Sequence, residues 1–325
     1  MTRREFIAVL GGAAAWSLAA RAQQTTIPVI GYLSQDSAEF DTIRLTGFRR
    51  GLSQSGYVEG RNVTIAYRFA GNQLDRLSAL AADLVQDRVT VIVTPGLPST
   101  LAARAVTSTV PIVFSVGRDP VQLGLVASLN RPGGNVTGVY PFTSELEVKG
   151  LELLHELLPA TTALGLLENP RNPIAAFMTR EVLAAANAIR VEVQLLHAST
   201  EGEIDAAFTR LAQERTGALL VPADVFFDSR ITQLAALATR YAVPMLCGIR
   251  EFPLAGGLMS YGFNLAEIYQ LAGLQVAHII KGEKPADLPV IQLSKTEFVI
   301  NLKTAKSLGL TVPPSLLGRA NEVME

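Results

Sequence analysis

The 325-residue sequence contains few of the residues that build reactive sites. Its one cysteine, Cys247, cannot form an internal disulfide, and its three histidines are scattered without metal-ligand spacing. The net charge is −1 and no long basic run occurs, which argues against nucleic-acid binding. Beyond the N-terminal segment no apolar run reaches the roughly 18 residues of a membrane span. The remainder, 49% hydrophobic, is typical of a globular α/β protein long enough for two domains.

Residues 1–22 have the pattern of a cleavable export signal. Arg3 and Arg4 supply a positive start, an apolar stretch follows, and the small-x-small pattern that signal peptidase reads ends at Ala22. The segment beginning at Arg3 also resembles the twin-arginine export motif, so the export route stays open. No cysteine stands at the cleavage point, which excludes lipid attachment there. We therefore expect a periplasmic protein that begins at Gln23 and is not stably inserted in a membrane.

Short apolar runs alternate with amphipathic stretches along the rest of the chain. A first series from Val29 to Ser115 reads as four strands separated by three helices, and a second series of similar length starts near Gly138. Repeated βα units wind into right-handed parallel sheets. The sequence therefore predicts an α/β fold of two similar, doubly wound, parallel-sheet lobes.

The C-terminal part begins after the second series is complete and must join a sheet that already exists. It contains a short strand near 258–261, a helix over 266–281 and two extended segments over 288–301. We therefore predict a multi-crossover hinge with a ligand cleft between the lobes. The predicted first lobe comprises residues 27–140 plus 260–287, and the second comprises residues 142–258 plus 290–325.

No constellation of catalytic residues emerges from the sequence. It has neither a nucleophile elbow nor a Walker A motif. His155 and His278 fall inside helical patterns, and the pair Gly133-Gly134 precedes a strand as a turn does. We therefore predict a protein that is not an enzyme and that carries neither a metal nor a cofactor.

Polar and small residues follow the carboxyl ends of the predicted strands, which is where doubly wound sheets bind ligands. These segments lead to helix N-termini, whose free N–H groups favour anionic ligand atoms. Helix capping is the alternative role for each serine, asparagine or aspartate among them. The candidate ligand-binding residues are Ser34, Gln35, Thr94, Pro95, Gly96, Ser115, Val116, Gly117, Asn169, Asp224, Phe226 and Arg250.

The candidate residues suit a zwitterionic amino acid. Hydroxyl and amide groups would bind its carboxylate, Asp224 would hold its ammonium group, and aromatic residues such as Phe226 would contact its side chain. The alternative ligand is an aromatic acid without an amine. In that case Arg250 would pair with the carboxylate, and Asp224 would only cap a helix.

Four stretches carry a family resemblance: RPGGNVTG at 131–138, LENPRNP at 167–173, REFPLAGGLMSYG at 250–262 and FVINLKTAKSLGLTVPP at 298–314. Together they resemble the substrate-binding proteins of ABC transporters, a family that includes tryptophan-binding-type proteins. The resemblance covers essentially the whole mature chain.

This resemblance implies a type I periplasmic-binding fold, with two α/β lobes and three crossovers. It also implies capture of a small solute, often an amino acid or an aromatic compound, for a membrane permease and its ATPase. A ligand sensor that signals to a membrane receptor would have the same fold and is the alternative function.

Overall fold

Two mainly parallel β-sheets organise the structure, a computed structural model that describes residues 27–141, 146–214 and 216–325. The predicted export signal lies outside these residues. The first sheet is parallel throughout, in the order β11-β5-β4-β3-β1-β2. Its strands are β1 (Val29–Ser34), β2 (Thr64–Phe69), β3 (Val91–Pro95), β4 (Ile112–Ser115), β5 (Val136–Pro141) and β11 (Ile291–Leu293).

Helices cover both faces of the first sheet, so its central strands are buried and read as continuous apolar runs. A 3₁₀ turn at Leu74–Arg76 precedes the second of these helices. The helices are α1 (Thr42–Gln54), α2 (Leu77–Gln86), α3 (Leu97–Val106) and, from late in the chain, α10 (Leu265–Ile280).

Helices α1 and α10 touch backbone to backbone through glycines. A Cβ atom added at Gly51 would lie 2.0 Å from the carbonyl oxygen of Gln270. One added at Gly273 would lie 2.4 Å from the carbonyl oxygen of Phe48. This close pairing fixes α10, a C-terminal element, to the first lobe.

The second sheet has the order β13-β12-β10-β9-β8-β6-β7 and is parallel except for the antiparallel pair β10–β12. Its strands are β6 (Ala163–Glu168), β7 (Glu192–His197), β8 (Leu219–Val221), β9 (Met245–Cys247), β10 (Met259–Gly262), β12 (Glu297–Asn301) and β13 (Glu322–Met324). The helices of this lobe are α4 (Leu146–Leu157), α5 (Ala175–Ala188), α6 (Glu201–Glu214), α7 (Val225–Asp228), α8 (Ile231–Tyr241), α9 (Glu251–Leu254), α11 (Leu302–Ser307) and α12 (Pro314–Leu317). The predicted class, two doubly wound lobes with parallel-dominated sheets, is confirmed.

The chain passes between the sheets after β5, after β10 and after β11. Two segments therefore lie in the other lobe from the one predicted. Strand β10, assigned to the first lobe from residue 260, extends the second sheet because Ser260 pairs with Cys247. Strand β11, assigned to the second lobe from residue 290, pairs with β5 at the edge of the first sheet. Sequence periodicity predicts that a strand forms but not which sheet it joins, so it could not assign β10 and β11 to their lobes.

The lobes are in contact with each other. One apolar cluster includes Phe48 from the first lobe and Leu234 from the second. Ile174 and Met178 from the second lobe join a cluster of the first. Within the described parts of the chain, none of the helices combines the length and the apolarity that crossing a bilayer requires.

Candidate functional site

Two adjoining cavities lie between the lobes, beyond the carboxyl ends of the parallel strands. The polar cavity, of about 60 Å³, is lined by Gln35, Asn72, Leu74, Gly96, Leu97, Pro98, Val116, Gly117, Leu123, Asn169, Arg171, Asn172, Ile174, Ala223, Asp224 and Val225. The hinge cavity, of about 90 Å³, is lined by Arg44, Gly96, Ser115, Val116, Gly117, Pro141, Leu146, Ala223, Asp224, Val225, Asp228, Gly248, Ile249, Phe263, Leu265, Ile268 and Tyr269. They share six residues, so they form one continuous region of the cleft.

The structure brings seven of the twelve predicted ligand-binding residues to these cavities. They are Gln35, Gly96, Ser115, Val116, Gly117, Asn169 and Asp224. Gly96 has φ +88°, and a Cβ atom there would lie 3.1 Å from the Val225 side chain of the other lobe. Glycine at this position therefore allows both the turn after β3 and the close approach of the second lobe.

Three other predicted residues lie beneath the cavities and do not line them. The Ser34 hydroxyl accepts a hydrogen bond from the backbone N–H of Asp36 at 3.1 Å. The hydroxyls of Thr94 and Thr100 are hydrogen-bonded at 2.9 Å. The carbonyl of Pro95 accepts from the Ser99 hydroxyl at 2.7 Å. These hydrogen bonds hold the strand-to-helix turns together.

Phe226 and Arg250 also lie outside both cavities. Phe226 is buried, with its ring 5.5 Å from that of Phe227. The Arg250 guanidinium pairs with Glu297 at 3.3 Å and with Glu322 at 2.7 Å, within the second sheet. The expectation that Arg250 meets a ligand carboxylate is corrected accordingly, because two protein carboxylates already occupy its guanidinium.

The carboxylate of Asp224 lines both cavities, but donors of its own lobe surround it. It caps α7 by accepting from the backbone N–H groups of Phe226 at 2.8 Å and Phe227 at 3.3 Å. The side-chain amides of Asn169 and Asn172 donate to it at 3.1 and 2.6 Å. Burial raises the pKa of Asp224, and these four hydrogen bonds oppose that shift.

Sequence reasoning missed the charged groups of the hinge cavity. Arg44, on α1, is fully buried, which is rare for an arginine. It donates to Asp41 at 2.9 Å and reaches across the cleft to the carbonyl of Val225 at 3.2 Å. Its Nη2 lies 3.7 Å from a carboxylate oxygen of Asp228, beyond hydrogen-bond distance.

Asp228, at the end of α7, differs from Asp224 in its surroundings. Within the part of the chain that the structure describes, no donor makes a hydrogen bond to its carboxylate. Burial raises its pKa to about 7; Asp224 and Glu251 add to that rise, while Arg44 opposes it. Asp228 is therefore a largely buried carboxylate at a cavity wall, with 11% of its side chain exposed and the Arg44 guanidinium as a loosely held partner.

The rest of the hinge cavity is apolar and partly aromatic. Ile249, Phe263, Leu265, Ile268 and Tyr269 form its walls. Burial raises the pKa of Tyr269 to about 12, so its phenol stays neutral. A cavity lined by Arg44, Asp224 and Asp228, with apolar walls elsewhere, suits a small molecule with a charged head and an apolar body. Among the described residues no group of histidines, cysteines and carboxylates could hold a metal ion.

A cross-lobe junction lies beside the cavities. We use this name for Asp36, Phe40 and Arg44 of the first lobe together with Val225, Ser229 and Arg230 of the second. Arg230 donates to the two carboxylate oxygens of Asp36 at 2.7 and 2.6 Å, and the Ser229 hydroxyl donates to the same carboxylate. The Phe40 ring lies 4.1 Å from the Arg230 guanidinium. Within this junction, Arg44 reaches from the first lobe into the second and Arg230 reaches from the second lobe into the first.

Comparison with known proteins gave concordant matches. A sequence model of the family described as ABC transporter substrate binding protein matches residues 26–324. The tyrosine-binding protein of Clostridioides difficile (strain R20291) is 29% identical over 264 residues, which is 81% of this chain and 76% of that protein.

Two solved structures have the same sequence identity to this chain but different TM-scores. An ABC domain from Streptococcus pneumonia in complex with L-Trp is 26% identical and has a TM-score of 0.81, covering 92% of this chain and 100% of that one. A ligand-free, open structure of a substrate-binding protein with adhesive properties from Clostridium difficile is also 26% identical. Its TM-score is 0.63, covering 92% of this chain and 99% of that one.

Proposed function

Because this chain belongs to the family of ABC transporter substrate-binding proteins and has their type I periplasmic-binding fold, we propose that it captures an aromatic amino acid. The ligand would sit in the hinge cavity and be delivered to the permease and ATPase of an importer. One observation carries this proposal: the hinge cavity combines buried charged groups with walls that include Phe263 and Tyr269.

The relatives support the choice of ligand class. One is named for tyrosine binding, and another was solved with L-Trp bound. Tyrosine and tryptophan share a zwitterionic head and a flat apolar ring with one polar tip. The hinge cavity offers a charged region for such a head and aromatic contacts for such a ring.

Hinge closure is the proposed mechanism. The two comparison structures have the same identity to this chain and cover the same share of it, yet the Trp complex superposes far better than the open, ligand-free structure. A difference in lobe arrangement accounts for such a gap, since the sequence likeness is equal. We infer that the described arrangement is the closed form, whose population a ligand increases by binding it selectively.

The protein would work outside the cytoplasmic membrane, after export by the N-terminal signal. The small-x-small pattern ending at Ala22 supports this location. N-terminal sequencing of protein recovered from the periplasm checks it, and the expected first residue is Gln23. An intact Met1 would contradict the proposal.

A thermal-shift screen tests the ligand class. We expect L-tyrosine, L-tryptophan or L-phenylalanine to stabilise the folded protein, and L-lysine and L-glutamate to have no effect. At a ligand concentration of 100 Kd the gain is about 2.7 kcal/mol, which corresponds to a Tm rise of roughly 5 °C. Stabilisation by another ligand class, with no response to aromatic amino acids, would contradict the proposal.

A further inference from the structure

The charges around the hinge cavity do not balance. Arg44 is paired with Asp41 at 2.9 Å, and both side chains are buried. Asp228 lies farther from the same guanidinium, at 3.7 Å, and has 11% of its side chain exposed. When Asp228 is ionised, two carboxylates therefore share one guanidinium. Because Asp228 is largely withdrawn from water and shares its cation with Asp41, its ionised form would be stabilised by a second cation beside Arg44.

We propose that Asp228 holds the α-ammonium group of the bound amino acid and makes the hinge cavity select ligands that carry an amine. The inference rests on the proposed function, that an amino acid occupies this cavity. It names the residue that recognises one end of that ligand. An ammonium group would supply the missing positive charge and donate up to three hydrogen bonds.

Asp224 does not fit this role, although it lines the same cavity. Its carboxylate already accepts from two backbone N–H groups and two asparagine amides. An ammonium group would have to displace donors that cap α7. Asp228 holds its position through the backbone, because its N–H donates to the carbonyl of Asp224 at 2.8 Å, and this leaves its carboxylate free for a ligand.

The position of Asp228 also suits a ligand with an aromatic side chain. It lies at the boundary between the hinge cavity and the cross-lobe junction, since it lines the groove beside Arg230 as well. The apolar walls at Phe263 and Ile268 belong to the same cavity. A head group at Asp228 therefore leaves the apolar part of the cavity to the ring.

The proposal makes affinity depend on pH, because only ionised Asp228 attracts an ammonium group. The titratable and charged groups around Asp228 are Arg44 from α1, Asp224 before α7, Arg230 before α8, Cys247 from β9, Glu251 from α9 and Tyr269 from α10. With a pKa of about 7 in the free protein, affinity for L-tyrosine should fall about 10-fold from pH 8 to pH 6. Affinity for an analogue without the amine should not fall over this range.

Calorimetry on wild type and Asp228→Asn tests the assignment with two probes, L-tyrosine and 3-(4-hydroxyphenyl)propanoate, which lacks the amine. We expect Asp228→Asn to weaken L-tyrosine binding about 10- to 150-fold, the effect of losing one charge-assisted hydrogen bond. The same variant should bind the propanoate as tightly as wild type does. Its L-tyrosine affinity should also lose the dependence on pH.

Glu251→Gln is the matched control. Glu251 is also a partly buried carboxyl near Asp228, but it does not line the hinge cavity. At pH 8, where Asp228 is mostly ionised with or without Glu251, this variant should bind L-tyrosine as wild type does. Equal weakening of both probes by Asp228→Asn would overturn the proposal, because it would indicate a structural role. Unchanged L-tyrosine affinity would overturn it as well. If wild-type protein binds no aromatic amino acid, the proposed function itself fails and this inference with it.

Discussion

At the scale of single residues, Asp224 and Asp228 have the same side chain but different hydrogen-bond partners, and we therefore assign them different roles. They lie one helical turn apart at the two ends of α7. Asp224 is surrounded by four donors, whereas the carboxylate of Asp228 makes no hydrogen bond within the described chain. The first therefore stabilises the fold of the cleft, and the second is available to a ligand.

Replacing Asp224 by alanine should lower the stability of the protein. The change removes a helix cap and leaves the amides of Asn169 and Asn172 without their acceptor, so we expect the free energy of unfolding to fall by about 1–3 kcal/mol. Urea denaturation measures this. Asp83→Ala, at an exposed helical position, is the control and should change stability by less than about 0.5 kcal/mol. Equal stability of Asp224→Ala and wild type would contradict the capping role.

The rule that ligands bind beyond the carboxyl ends of parallel strands predicted much of the lining of the candidate site but not its buried arginine. It identified Gln35, Gly96 and the run from Ser115 to Gly117, because these positions follow from where parallel strands end. It missed Arg44, which approaches the cavity from the side of a helix. The sequence does contain a signal for this position. Arg44 lies three residues before Gly47 and seven before Gly51, so all three share the helix face that contacts α10, and this spacing predicts that Arg44 is buried.

At the scale of elements, the contact between α1 and α10 depends on having no side chain at several points. Gly47, Gly51 and Gly273 bring the helix backbones together. Glycine lowers the stability of a helix. Its presence at these positions therefore indicates that the close approach of α1 and α10 contributes more to the stability of the protein than the helix propensity of another residue would. The pairing connects the first helix of the described part of the chain to an element near its C-terminal end.

Gly51→Ala should therefore destabilise the protein although alanine favours helices. The new methyl group would stand 2.0 Å from the Gln270 carbonyl oxygen, and we expect a loss of about 2 kcal/mol or more. Gly202→Ala is a matched control, because Gly202 is also helical and a Cβ there meets nothing within 4 Å. That variant should gain up to about 1 kcal/mol. Thermal unfolding of both variants checks the contrast, and similar shifts would refute it.

Long periodic elements were predictable from the sequence, and short ones were not. The helix expected over 266–281 appears as α10, Leu265–Ile280. Helices α7 and α9, with four residues each, are too short to show a helical period, and three-residue β13 too short to show alternation. Those short elements carry Asp228, Glu251 and Glu322. Sequence periodicity therefore could not predict where these three carboxylates lie.

At the scale of the whole molecule, the cross-lobe junction links the lobes independently of any ligand. Its contacts join Asp36 to Arg230 and Arg44 to Val225. Because each contact spans the cleft, we expect them to form only when the lobes meet. Their energy then contributes to closure, and through closure to the affinity for ligand.

Arg230→Met should weaken ligand binding without a direct contact to the ligand. Closing the cleft would then bury Asp36 without its cation, which disfavours the closed form. We expect affinity for L-tyrosine to fall about 10-fold or more in calorimetry. Arg250→Met breaks ion pairs within one lobe only, so it should change stability but not affinity. Identical affinities of the two variants would contradict a role of the junction in closure.

The three crossings of the chain also determine when each lobe can be finished during synthesis. The first lobe begins with β1, but its helix α10 and its edge strand β11 emerge only after the second lobe has been largely made. At the usual 5–20 residues per second, the first lobe waits roughly 8–30 s for these parts. A nascent chain therefore exposes the glycine face of α1 until translation is nearly over.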